Sequence, residues 1–370
     1  NPKTQITVEG DYLSADWTPD FGTGIIGKEI LDLPRSAFYG SLWSNGTTKS
    51  SSASVLLNHD FNKNWKLNFN SSFQNYDRGS YSTAQLSGLD TYPNPGDWNR
   101  GLTKNKNLEQ IFGDQLSLQG NFNTGSVKHQ IYTGVDWENS FATAYTFTFD
   151  EKYVITGMKD GKPVYGPTLY DTINLFTFDP ADQRMDIPTT DRATQITKTD
   201  TNRFGVYFQD FISITDKFKV LAGIRWSWQE AEVSTYKETK TGAGNPQDAV
   251  PTITPKRLDN AFSPKVGLVY EPTKDVSIFG SYSTSFTPNT GTTVDLQPIK
   301  PSIIDQYEAG IKTDFLKGLL STNVTVYQIT NSNFAQMAQF KADGTANADT
   351  NLKVLSGETK SKGVEIDVTA

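Results

Sequence analysis

Cysteine is absent from the 370 residues, and histidine occurs only twice. No apolar run approaches the ~18 residues that a membrane-spanning helix requires. The first absence removes disulfides, thiolate metal sites and cysteine nucleophiles. The second leaves only His59 and His129, which both fall on outward-facing positions of alternating segments and make poor triad or metal candidates. The third excludes a helical membrane protein. A basic excess is also lacking: Lys+Arg 34 against Asp+Glu 41 gives a net charge of −7, the wrong field for a nucleic-acid surface. Asn1 is not followed by a basic patch and an apolar stretch. No signal peptide is therefore expected there, as if it had been removed or the chain began mid-protein. Neither a phosphate-cradling glycine loop nor a nucleophile elbow occurs.

What is present is aromatic, polar and alternating. Phe 22, Tyr 16 and Trp 7 make up 12% of a chain whose mean hydropathy is −0.50, and Gly 29 suits strands and turns. About twelve segments carry apolar or aromatic residues at every second position, the period of a pleated strand. Trp65, Leu67, Phe69 and Phe73 alternate with Lys66, Asn68, Asn70 and Gln74. Val127, His129, Ile131, Val135, Trp137 and Phe141 alternate with Lys128, Gln130, Tyr132, Asp136 and Ser140. Phe218, Val220, Ile224, Trp226 and Trp228 oppose Lys219, Arg225 and Gln229. The segment from Val127 exceeds the roughly 9–11 residues needed to cross a bilayer, so its far end is expected to project into water. Glu365 and Asp367 alternate with Val364, Ile366 and Val368, which places them on a wet interior face. Like Glu29, they have no evident acid or base partner.

The connections alternate in length. Tight turns at Asn62–Asn64, Asn123–Ser126, Thr215–Lys217, Pro272–Lys274 and Leu316–Gly318 separate long polar excursions over residues 14–50, 77–109, 150–191, 238–258, 288–302 and 332–358. Short turns on one rim and long loops on the other describe an outer-membrane barrel. Phe61, Trp65, Phe122, Phe218, Tyr270 and Phe315 lie beside the short turns, where amphipathic rings sit at lipid headgroups; hairpin packing is the alternative reading.

SYSTSFTPNTG (residues 281–291), QPIKPSIIDQYEAGIK (297–312), LSTNVTVYQITNSN (320–333) and SKGVEIDV (361–368), taken as a set and in this order, resemble consecutive barrel strands of the TonB-dependent siderophore receptors of the ferrichrome, coprogen and pyoverdine type. Upstream, FSPKVGLVYEP (262–272), GVYFQDFISIT (205–215), TPDFG (18–22) and LPRSAFYG (33–40) are also similar. One departure is PSIID at 301–305, where the family more often has an acidic residue straight after the proline. The resemblance implies an all-β, antiparallel transmembrane β-barrel in the bacterial outer membrane. Residues 1–370 would form an arc of about twelve strands out of 22, incomplete at both ends, with the plug domain outside this chain.

The resemblance further implies binding of a ferric siderophore by the extracellular loops and TonB-energised import. Partners would be the siderophore, the TonB–ExbB–ExbD complex acting through the plug, and outer-membrane lipid. No covalent cofactor, resident metal, nucleic acid or catalysis is expected. A passive porin-like nutrient channel, a surface adhesion or phage-attachment barrel, and a barrel enzyme with its site in the loops are the alternatives. Bulky polar chelates call for aromatic faces with a few charged groups. The candidates are Trp17, Phe21, Arg35, Phe38, Tyr39, Trp43, Tyr81, Tyr92, Trp98 and Arg100 in the first two long loops, each of which could equally stabilise loop packing. Tyr132, Arg225 and Glu308 are expected on inward strand faces, lining the passage or satisfying polar neighbours across it.

Overall fold

The computed structural model describes residues 3–88, 94–147, 149, 153–159, 162–187, 193–237, 250–254, 256–315 and 318–369. Twelve strands form one continuous antiparallel wall. They are β1 (Thr4–Trp17), β2 (Asn45–Asn62), β3 (Trp65–Thr83), β4 (Asp97–Thr124), β5 (Val127–Phe147), β6 (Ala193–Ser213), β7 (Phe218–Lys237), β8 (Arg257–Thr273), β9 (Val276–Thr287), β10 (Ser302–Phe315), β11 (Leu320–Ser332) and β12 (Glu358–Thr369). Each pairs with the next in sequence order, so every wall connection is a hairpin. Among the described residues no helix is long and apolar enough to cross a membrane; strands do the crossing.

The pleat sorts side chains cleanly. On β12, Val364, Ile366 and Val368 are 65%, 67% and 63% exposed, while Glu365 and Asp367 point to the other face with Asp367 accepting from Asn323. On β8, Phe262, Val266, Leu268 and Tyr270 are likewise exposed on the outward face. Exposed aliphatics repeated strand after strand on one face mark a lipid-facing surface, whereas the opposite face is polar.

A second aromatic girdle, not evident from the turns alone, lies eight to ten positions above the first. Phe73 stands above Trp65, Phe112 above Phe122, Trp228 above Phe218, Phe262 above Tyr270 and Tyr307 above Phe315, all on the outward face. At about 3.3 Å per residue and a tilt near 40°, this separates the girdles by roughly 20–25 Å, the height of an outer-membrane apolar band.

Two excursions are shorter than the sequence suggests. β1 runs to Trp17 and β2 begins at Asn45, while β3 reaches Thr83 and β4 begins at Asp97. Above the lipid band water wets both strand faces, so the apolar alternation fades although the backbone ladder continues. Trp17, Tyr81, Trp98 and Arg100 are therefore strand residues rather than loop residues. Tyr92 lies outside the described residues, as does part of the turn at 316–318.

Long side chains lie across glycines on adjacent strands. Trp17 covers Gly46, Trp65 covers Gly120, Tyr207 covers Gly134, Phe279 covers Gly310 and Tyr327 covers Gly363, and each pair is directly opposite in the ladder. A Cβ at any of these glycines would overlap the ring. Each interlock thus fixes the pairing register where a one-residue slip would exchange lipid and water faces.

Val266 is midway between the girdle residues Phe262 and Tyr270. Val266→Arg is expected to lower the folding free energy in lipid vesicles by about 2–4 kcal/mol, and Ser281→Arg on the inner face of β9 by under about 1 kcal/mol. Denaturant unfolding followed by gel mobility measures both; equal losses would contradict this assignment of faces.

Candidate functional site

The wall has two places where chemistry-bearing side chains gather: the extracellular end above β1–β5, and the inner face of β5–β8.

At the extracellular end, the top of β4 continues past the lipid band and pairs with a loop strand, Lys162–Asn174. In this ladder Trp98 is opposite Ile173 and Arg100 opposite Asp171. Arg100 is completely buried. Its Nε donates to Asp171 Oδ1 at 2.7 Å, Nη2 to Oδ2, and Nη1 to the Tyr39 carbonyl at 3.1 Å. The guanidinium also lies 5.1 Å from the Phe178 ring and 5.6 Å from that of Tyr170. A buried cation is tolerated because a bidentate carboxylate, a carbonyl and ring faces replace its water. One side chain thereby ties together the first, second and third long loops.

Around it, Ile26, Tyr39, Leu86, Trp98, Ile173 and Leu175 form a small apolar core. A second core gathers Trp43, Tyr81, Leu102 and Tyr170, with Trp43 Nε1 donating to the Tyr170 hydroxyl at 2.8 Å. That hydroxyl donates in turn to the carbonyls of Arg184 and Asp186, and burial raises its pKa above the ordinary tyrosine value. Tyr81 and Leu102 share the parity of the lipid-facing residues on β3 and β4. The cap core is therefore built on the upward continuation of the outer face.

The structure divides the sequence candidates accordingly. Tyr39, Trp43, Tyr81, Trp98 and Arg100 are brought together, but as the packed interior of the cap. Phe38 is half-buried and folds back over Gly40. Phe21 and Arg35 are exposed and line an open cavity of about 380 Å³ with Asp20, Leu33 and Tyr39. Trp17 faces the inner side at the extracellular rim. Its Nε1 donates to Thr48 Oγ1 at 3.1 Å, and the Arg78 guanidinium stacks 4.7 Å from its ring. Arg78 has no carboxylate partner among the described residues.

On the inner face, Arg225 Nη1 and Nη2 both reach Asp136 at 2.7 Å, and its Nε donates to Ser227. Tyr207 donates to the Tyr132 hydroxyl at 3.2 Å and accepts from Gln115. Tyr132, Tyr207, Arg225, Ser263, Lys265 and Ser283 border a cavity of about 370 Å³. Glu308 is also on this face, bonded to Gln306 Nε2. Sequence reasoning named Tyr132 and Arg225 but missed Arg78, Tyr207 and Lys265. Inward parity alone could have found all three. Asp171 and Tyr170 had no such signal, since their partners are about 70 and 127 positions away.

His129 is on the outward face as expected, bonded to Asp210 at 2.7 Å and stacked on Phe122. No group of three or more metal-ligating side chains occurs among the described residues.

A family model described as TonB dependent receptor-like, beta-barrel matches residues 1–370. Among curated relatives, the metal-pseudopaline receptor CntO of Pseudomonas aeruginosa is 23% identical over 352 residues, 90% of this chain and 43% of the relative. The ferric-pyoverdine M114 receptor PbuA of Pseudomonas sp. is 21% identical over 389 residues, 100% of this chain and 42% of the relative. The chain thus spans less than half the length of these relatives. The crystal structure of the ferric-catecholate import receptor Fiu from E. coli, in its closed form, has a TM-score of 0.77 at 19% identity. It covers 99% of this chain and 53% of that one.

Arg100→Met leaves the partly buried Asp171 carboxylate without its cation, a change that costs up to about 3 kcal/mol, the low end for breaking a buried pair. Hydrogen exchange should accelerate across residues 97–101 and 170–175 and stay unchanged in the wall hairpin β6–β7. Arg100→Met combined with Asp171→Leu should restore much of the protection. If the single variant leaves the cap as protected as before, the arginine does not organise it.

Proposed function

Since the chain belongs to the TonB-dependent receptor β-barrel family, we propose that it is the wall of an outer-membrane receptor that binds a ferric siderophore and imports it with TonB-derived energy. The observation that carries this reading is the Trp17–Arg78 stack at the extracellular rim of the inner face. An indole face beside a cation without a carboxylate partner suits a flat, anionic chelate, whose rings stack and whose charge seeks the guanidinium.

The buried cap residues act indirectly in this reading. Arg100, Trp98, Tyr81, Trp43 and Tyr39 hold the first three loops in one shape, so that Phe21 and Arg35 are presented at a fixed position beside the mouth. Pre-ordered loops lose less conformational entropy on binding than free ones. The ligand is bound and released without covalent attachment, and coupling to the TonB–ExbB–ExbD complex would run through a plug domain outside these residues.

The test uses the full-length receptor in a host lacking its other siderophore receptors. Iron-restricted growth should depend on one or a few ferric siderophores from a panel and on a functional TonB. Trp17→Ala and Arg78→Gln should each weaken binding of that chelate about tenfold by calorimetry. Trp98→Ala should weaken it through loss of the cap. TonB-independent uptake with broad solute passage would instead identify a passive channel, and unchanged binding in both rim variants would remove those residues from the site.

A further inference from the structure

The lipid-facing side of the wall carries two ionisable side chains where an aliphatic surface is expected. His129 of β5 and Asp210 of β6 both have outward parity, and His129 Nδ1 lies 2.7 Å from Asp210 Oδ2. Their strands are flanked by β4 and β7, so the wall on both sides of the pair is complete. The outward positions around them carry no charge. Ile131 and Ala222 are directly opposite Asp210, Ile212 is directly opposite His129, and Phe208 precedes Asp210 on the same face. A carboxylate on a lipid-facing surface is costly and calls for a partner.

The pair opens at a definite depth. His129 is opposite Phe122 in the ladder and stacks on its ring, with centroids 4.7 Å apart and planes at 8°. Phe122 belongs to the aromatic girdle beside the short turns, the level of the periplasmic headgroups. An ionised carboxylate only accepts, so Nδ1 carries the hydrogen, and Nε2 of the neutral ring is an acceptor. Nε2 has no hydrogen-bond partner among the described residues, and neither has Asp210 Oδ1. The two side chains are 16% and 13% exposed. No cation of the wall offsets the aspartate: Lys128 and Lys219, the nearest in the ladder, have inward parity and pair with Asp216 and Glu271.

From this arrangement we propose that His129 and Asp210 bind the ethanolamine headgroup of a phospholipid on the periplasmic side of the outer membrane. The primary ammonium donates an N–H to His129 Nε2 and lies in the field of the Asp210 carboxylate, while Phe122 holds the imidazole in place. A choline headgroup carries the same charge but has no N–H to donate, and a glycerol headgroup brings a net negative charge towards the aspartate. The site is on the bilayer side of the wall and stands independently of what the lumen carries.

The test uses the full-length receptor, delipidated in detergent and incubated with dioleoyl-phosphatidylethanolamine, -phosphatidylcholine or -phosphatidylglycerol. Bound lipid is read by native mass spectrometry. The ethanolamine lipid should bind about five- to tenfold more tightly than the choline lipid, as expected for one charge-assisted contact in a partly exposed site. His129→Phe keeps a ring on Phe122 but removes the acceptor, and should bring ethanolamine binding down to the choline level without changing choline binding. Asp210→Asn should lower the ethanolamine preference as well. Heat-modifiable gel mobility confirms that each variant is folded. Equal binding of the ethanolamine and choline lipids, tightest binding of the glycerol lipid, or an ethanolamine preference that persists in His129→Phe would each overturn the proposal.

Discussion

The structure depends on one constraint: a backbone amide in lipid has no water to bond with, so each must find its partner on a neighbouring strand. An antiparallel ladder meets that demand only while its register holds, since a slip of one residue turns every lipid-facing side chain inward. Register is therefore under tighter control than composition. The turns control it from below, where the Asn62 carboxamide accepts from the backbone of both Asn64 and Trp65 and closes the β2–β3 hairpin. Above them, the ring-over-glycine pairs control it from within the wall. Trp65 over Gly120 and Tyr327 over Gly363 bind strands that have no apolar core between them to choose a register.

Above the lipid the constraint relaxes and a different physics takes over. Water satisfies exposed amides there, so strands are free to end, bend and pair with loop segments, and stability has to come from burying side chains. The cap does this with two small cores joined through Tyr170, whose hydroxyl accepts from Trp43 and whose ring lies beside Arg100 and Arg184. Arg100 is the costly member, because a fully buried guanidinium recovers its hydration energy only if nearly all of its donors are met. Asp171, the Tyr39 carbonyl and the more distant Gln183 carboxamide meet them, drawing residues from three loops to one point. The wall thus supplies a fixed frame, and a single charged contact converts three long connections into a shaped surface.

This difference explains what was legible in the sequence. Within the band, alternation exists because lipid and lumen demand opposite side chains at successive positions, and Trp65 to Gln74 or Val127 to Ser140 could be read directly. The twelve wall strands, their hairpin order and the inward placement of Tyr132 and Arg225 follow from that pattern. Above the band neither face is greasy by necessity, and the pattern stops reporting. Trp98 and Arg100 read as loop groups, fit for a ligand or for loop packing alike, because nothing nearby in sequence announces Ile173 or Asp171, which arrive from a segment about 70 positions away. Arg78 continues the inward parity of β3 and was within reach of the pattern, whereas its position over the Trp17 ring was not.

The inner face shows how a wall of this kind stays passable while carrying charge. Several arginines and lysines projecting side by side from the wall would crowd the interior and repel one another. Pairing within the wall solves both problems: Arg225 turns sideways to Asp136, Arg203 to Glu138 and Lys219 to Glu271, each spending its charge along the sheet rather than across the opening. Glycine at 134, 205 and 223 is what allows the side chains to recline, since a Cβ at any of them would lift the covering group into the lumen. Neutralised and flattened, most of this surface has little hold on a passing solute.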